Sequence, residues 1–175
     1  MQVAEAQAQL VAKYANGGPG AVISGLVWLI AGTVWLRSGI VPAFSALFVG
    51  GIAIFPASLL VCRFGLRTPQ GSGANPLERL AMEGTLFLFA GLLIAWVLLR
   101  HVPALSFPVM AVTIGARYFT FRTLYDDAAY WLLGGALALL GAIAMLRADL
   151  LPVNLALWVG AVEILFGIML TMRRA

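Results

Sequence analysis

Glu83, Arg117 and Glu163 stand inside long apolar stretches of this 175-residue chain. An ionisable side chain in hydrocarbon costs at least about 2.5–3.5 kcal/mol on insertion scales, so a residue of this kind is a functional-site candidate by default. Counted from helix starts, Glu83 lies about two turns into its segment, and Glu163 about 18 Å into its own at 1.5 Å per residue. Arg117 lies near the boundary if its segment opens at Pro103 and near the midplane if it opens at Pro108. The three share a depth range, which predicts an inward-facing cluster with Arg117 bridging two carboxylates. Two kinds of chemistry fit: passage of an ion, proton or small solute, or a clamp that holds helices in register. A clamp has its own signature, because removing one partner leaves an uncompensated charge costing about 3–5 kcal/mol. Arg79, one turn before Glu83, competes for that carboxylate.

Local composition supports close helix approach around these residues. Gly160, Glu163 and Gly167 fall on one helical face, and small residues there bring a neighbouring helix near the carboxylate. Gly115 and Ala116 are expected to do the same beside Arg117, where Thr113 and Thr120 add hydroxyls. Nearer the cytoplasm, Arg122, Asp126 and Asp127 read as a polar mouth.

Other chemistries find little support. His101 is the only histidine and lies in a turn between Arg100 and Pro103, so no histidine-based metal site or catalytic dyad can form. Cys62 is the only cysteine and reads as a small buried hydrophobe. No nucleophile motif, EF-hand or phosphate-binding GxxxxGK[ST] pattern is present, and the polar stretch Thr68-Pro69-Gln70-Gly71-Ser72-Gly73 reads as a loop. The expectation is therefore no enzyme, no metal and no cofactor.

The elements that must carry the charges follow from hydropathy. The chain is 62% hydrophobic and 10% charged, against about 25% charged in soluble domains, and its mean hydropathy is +0.99. Crossing a bilayer takes about 20 mostly apolar residues. Six runs meet that length, at about 21–36, 40–62, 77–99, 103–121, 129–146 and 151–172. The expected fold is an all-α membrane protein, with six transmembrane helices as three antiparallel hairpins. Residues 17–175 form one transmembrane domain, and residues 1–16 a short amphipathic helix at the membrane surface. In that helix Val3, Leu10, Val11 and Tyr14 share one face, with Gln2, Gln9 and Lys13 turned away. Glu5, where a signal peptide would be basic, argues against a cleaved leader. Asn16-Gly17-Gly18-Pro19 breaks this helix before the first span.

The turns repeat. Leu36-Arg37 precedes Pro42, Leu99-Arg100 precedes Pro103, and Leu146-Arg147 precedes Pro152, each pairing a basic helix end with a proline opening the next helix. Asn75-Pro76-Leu77-Glu78 reads as a capped helix start, with Glu78 reaching back to the cap. Phe55-Pro56 and Phe107-Pro108 predict kinks or helix starts. Lys13, Arg63, Arg67, Arg79, Arg122, Arg173 and Arg174, with Arg117 if it is assigned to that helix end, fall on one side of the membrane, against Arg37, Arg100 and Arg147 on the other. This asymmetry predicts cytoplasmic N- and C-termini. Because the basic residues sit at helix ends, the bilayer is the expected partner and nucleic acid is not. Trp35 and Trp96 mark the outer boundary, and Tyr118, Tyr125, Tyr130 and Trp131 the inner one.

The segments Asn75-Pro76-Leu77-Glu78-Arg79-Leu80-Ala81-Met82-Glu83-Gly84-Thr85 and Phe107 to Tyr125 resemble a family of small bacterial integral membrane proteins, a domain of unknown function. The resemblance covers about residues 20–145. It implies a bacterial membrane location and puts weight on Glu83 and Arg117, without implying an activity.

Two functions follow as expectations. One is a small transport or channel-like protein using Glu83, Arg117 and Glu163. Six short helices hardly enclose a large pathway, so a homo-oligomer is expected, with Gly134 and Gly141 available for packing within or between subunits. The alternative is a non-catalytic accessory or assembly subunit of a larger membrane complex.

Overall fold

The computed structural model describes residues 2–69, 75–151 and 153–173. Seven α-helices account for most of them: α1 (Val3–Tyr14), α2 (Gly18–Ser38), α3 (Ile40–Leu60), α4 (Pro76–His101), α5 (Ser106–Tyr125), α6 (Ala129–Leu146) and α7 (Leu155–Met172). The six from α2 to α7 are long and apolar enough to cross a membrane, and no strand occurs among the described residues. Gln70, Gly71, Ser72 and Gly73 of the expected loop, Pro152 of the third turn, and Arg174 lie outside the described residues.

The hairpin partners α2/α3, α4/α5 and α6/α7 touch as the hairpin reading expects, the last pair least, but the most extensive associations run across hairpins. α2 packs most extensively on α7, and α5 on α6. The resulting order is α3–α2–α7–α6–α5–α4, with α5 also touching α7. Glycine explains why these two contacts dominate. In lipid, helices associate through packing rather than hydrophobic transfer, so backbone proximity decides. A methyl at Gly25 of α2 would stand 2.7 Å from the Gly160 carbonyl oxygen of α7, and one at Gly160 would stand 2.7 Å from the Gly25 carbonyl oxygen. Gly115 of α5 and Gly134 of α6 repeat the relation at 2.6 Å in both directions. The Gly134/Gly141 stripe is thus occupied within the chain: Gly134 faces Gly115, and Gly141 faces the Pro108 carbonyl.

α3 and α4 stand at the two ends of this order and keep most of their surface exposed. They approach each other at the end remote from the termini, where the Phe44 and Trp96 rings lie 6.4 Å apart. There Phe107 is completely buried, with Trp35 at 4.7 Å and Trp28 and Phe44 each at 5.9 Å between ring centroids. Beyond it, the Arg147 guanidinium grips Asp149 with two hydrogen bonds, at 3.0 and 2.9 Å. That pairing holds the Asp149 carboxyl below its ordinary range.

Several local expectations change. The start of the fourth span is resolved: Pro103–Leu105 is a single 3₁₀ turn, and α5 begins at Ser106 with Pro108 as its third residue. Pro42 is likewise the third residue of α3 rather than its first. Arg63 does not begin an irregular loop, since Val61–Gly65 continues α3 as a π turn. Asn75 caps α4 by accepting from the Leu77 amide at 3.0 Å. Glu78 does not reach back to it, because Lys13 (2.7 Å) and the Tyr14 hydroxyl (3.1 Å) take its carboxylate.

α1 lies across the ends of α4 and α5. The Asn75 amide donates to the Ala6 carbonyl at 2.8 Å, and Gln7 to the Thr123 carbonyl at 2.7 Å. The face used shares Leu10 with the expected one and otherwise differs: Ala6 is buried, Val3 is exposed, and Lys13 turns toward the bundle. Ala15, Asn16 and Gly17 then take positive φ in succession, turning the chain sharply into α2.

Candidate functional site

Among the described residues the most deeply buried acidic or basic side chain is Glu163, whose exposure is zero. The glycines one turn either side of it, Gly160 and Gly167, let α2 come against that face of α7. This approach brings Ser24 of α2 beside the carboxyl, while Tyr118 of α5 closes from the other side. The Tyr118 hydroxyl donates to Oε1 at 2.8 Å. Oε2 is buried without a hydrogen-bond partner. The Ser24 hydroxyl adjoins both groups but makes no hydrogen bond of good geometry to Oε2. A carboxylate offers about four acceptor sites, and one neutral donor serves this one.

Arg117 does not bridge two carboxylates. It lies close enough to Glu163 to act on it electrostatically, yet no ion pair joins them. Its side chain leaves α5 toward α4, where Nη2 donates to Thr85 Oγ1 at 3.2 Å and the guanidinium lies over the Phe121 ring at 5.0 Å. Nε is buried without a partner. Glu83 turns away from this interior, although its neighbours Gly84 and Thr85 face Arg117. It faces outward, half exposed, and pairs with Arg79 at 3.3 Å, the competitor one turn away. The hydroxyls expected beside Arg117 are satisfied on their own helix, Thr113 by the Val109 carbonyl and Thr120 by the Arg117 carbonyl. Gly115 meets α6 rather than the Arg117 side, and Ala116 is exposed.

The expected mouth is likewise divided. Arg122 and Asp126 pair one turn apart at the surface. Asp127 ties three segments together: it accepts from the Ala129 amide at 2.9 Å, from the Asn16 side chain at 3.0 Å and from Arg173 at 3.3 Å. The three tyrosines expected near the inner boundary turn into the bundle. Tyr118 stacks on Tyr130 and Tyr125 on Tyr130, at 5.9 and 5.5 Å between centroids, with Phe121 set edge-on to all three. Trp131 remains exposed. This aromatic column runs from Glu163 to the turn at Asn16, where the Tyr130 hydroxyl donates to the Asn16 carbonyl at 2.7 Å.

Tyr130→Phe isolates that role. The ring column survives, but the buried Asn16 carbonyl loses its donor, at a cost of about 1–3 kcal/mol. The expected result is a lower thermal midpoint and faster amide exchange confined to Ala15–Gly17. Unchanged exchange there would show that the hydroxyl does not hold the segment.

Sequence reasoning missed Tyr118, Ser24, Asn16 and Tyr130 as site residues. Ser24 carried a readable signal, since it shares the buried stripe of Ala21, Gly25 and Trp28 on α2. Among the described residues, no group of three His, Cys, Asp or Glu side chains gathers to hold a metal ion. The site is a buried carboxyl on an apolar helix, facing hydroxyls, with a guanidinium at longer range.

No curated protein and no solved structure matches the chain. A family model does, and it extends beyond the region around the Asn75–Thr85 and Phe107–Tyr125 segments: over residues 3–173 the chain belongs to a family of unknown function, DUF7010.

Proposed function

We propose that this is a small bacterial inner-membrane transport or channel-like protein, with both termini in the cytoplasm and Glu163 as its intramembrane site. The observation that supports this reading is the Glu163 carboxyl itself, fully buried with one neutral donor and one oxygen unserved. A clamp between helices pairs its carboxylate with a cation; here Arg117 pairs neither Glu163 nor Glu83. Leucine or glutamine would serve packing alone at lower cost, since a buried ionisable group is expensive where nothing compensates it. Arg117, one residue from Tyr118, sets the local potential rather than the contact.

The test is a thermal-stability cycle in detergent on Glu163→Gln, Arg117→Gln and the double variant, followed by ion-flux measurements in proteoliposomes. The single variants are expected to hold or gain stability, with coupling below about 1 kcal/mol, and Glu163→Gln to abolish flux. Strong destabilisation by each single change together with coupling above that value identifies a structural clamp and removes the transport reading. Full flux in Glu163→Gln removes Glu163 as the site of that transport, and absence of flux in the native protein leaves the accessory-subunit reading in its place.

A further inference from the structure

We infer that the ligand of the Glu163 site is a proton, bound at Oε2 between α2, α5 and α7. The inference rests on the reading of Glu163 as the intramembrane site and names what that site takes.

The argument begins with the donors and acceptors that surround the carboxyl. α2 contributes the Ser24 hydroxyl and no charge. α5 contributes the Tyr118 hydroxyl, and Arg117 beyond contact distance. α6 contributes Tyr130 through its stack on Tyr118. A hard metal cation takes about six or more oxygen ligands. Here the Tyr118 hydroxyl points its hydrogen at Oε1 and is turned away from acting as a ligand. That leaves the carboxylate and one serine, too few for a dehydrated cation. An anion would meet the carboxylate itself. A proton needs no coordination shell, only one acceptor lone pair, and Oε2 offers it unused.

The protonated state also satisfies the site better. The Glu163 carboxylate gains a proton at Oε2 and becomes a neutral carboxylic acid, whose new O–H is a donor. The Ser24 oxygen beside it is the available acceptor, and Tyr118 continues to donate to Oε1. Neutralisation removes the unpaired buried charge, and a turn of the Ser24 side chain toward Oε2 would give the new hydrogen an acceptor. The deprotonated form keeps the charge and one neutral donor. The two forms of one side chain thus differ by a buried unpaired charge, which is what a site that loads and unloads a proton requires.

Infrared difference spectroscopy of the lipid-reconstituted protein during a pH titration reads this step directly. A carboxylic C=O stretch is expected to grow as pH falls, to be absent in Glu163→Gln, and to persist in Glu83→Gln. Added sodium or potassium at constant pH should leave it unchanged. If Glu163→Gln does not fold, Tyr118→Phe decides: losing the donor to Oε1 shifts the band upward in frequency only if Glu163 carries it. A band absent throughout the pH range of the folded protein, or one that responds to sodium and not to pH, overturns the inference. Proton flux into dye-loaded proteoliposomes is measured on the same preparation. A titrating Glu163 band without flux supports the proton site and overturns the transport reading. Flux of another ion with a silent Glu163 does the reverse.

Discussion

Gly160→Leu is expected to unfold the bundle at a markedly lower temperature than the native chain, while Gly135→Leu leaves it intact. Both positions lie in apolar helices, and both changes replace glycine with a better helix former and a more lipid-compatible side chain. They differ in what the new side chain meets. At Gly160 the Cβ alone would stand 2.7 Å from the Gly25 carbonyl oxygen and 2.8 Å from the Leu29 side chain, whereas nothing lies within 4 Å of one at Gly135. The obstacle at Gly160 is backbone, which cannot rotate aside as a side chain does. α2 and α7 must therefore separate, and these are the two most extensively packed helices in the molecule. Overpacking a well-filled core costs about 1–3 kcal/mol where neighbours can adjust; with backbone in the way the expected loss is at the upper end or beyond. The separation also withdraws Ser24 from Glu163, so the site loosens before the helices melt. Thermal midpoints in one detergent check both variants. Native stability in Gly160→Leu would mean that this close approach is not what holds α2 to α7.

The six spans were legible because length and apolarity alone define them, and neither depends on what a helix touches. The expectation that Arg117 and Glu163 share a level rested on the same count, and Arg117 does lie close enough to act on Glu163 electrostatically. Their direction was not legible. Adjacent residues on an α-helix point about 100° apart, so Arg117 and Tyr118 face different neighbours: Arg117 looks to Thr85 on α4, and Tyr118 to Glu163 on α7. Shared depth made Arg117 the natural partner of Glu163, and one residue of azimuth gave the contact to a tyrosine. Glu78 was misread through locality. The capping-box pattern compares residues three apart, and Lys13 reaches Glu78 across 65 positions. The packing face of α1 was hidden because Ala6 carries little hydrophobic signal, although its smallness lets the helix lie against Asn75. By contrast, the glycines beside Glu163 gave a true signal, since a small residue on each side of a buried acid indicates close approach by something. The sequence could not say that the something was α2.

Phe107→Ala should open the end of the bundle remote from the termini and lower stability by about 3 kcal/mol, the low end of the range for a buried Phe→Ala change. The low end applies because part of that range reflects water-to-interior transfer, and a helix unfolding within lipid or detergent never meets water. What remains is the cavity and the lost ring contacts. Both are large here, since Phe107 has no exposure and three aromatic rings surround it. Those rings come from α2 and α3, while Phe107 lies in the first turn of α5, so one side chain joins opposite parts of the helix order. It is also the point through which α3 meets the far side, beside the Phe44–Trp96 contact with α4. Removing the ring is therefore expected to free α3 and α4 from each other more than it disturbs the α2–α7 seam or the Tyr118–Glu163 hydrogen bond. Hydrogen exchange resolved by segment distinguishes these regions: faster exchange in the first turns of α3 and the last turns of α4, with α7 unchanged around Glu163. For a chain of this size each kcal/mol lowers the midpoint by about 2–4 °C, so the expected fall is about 6–12 °C. A fall of that size with exchange rising uniformly through all helices would show that Phe107 supports the whole bundle rather than closing one end of it.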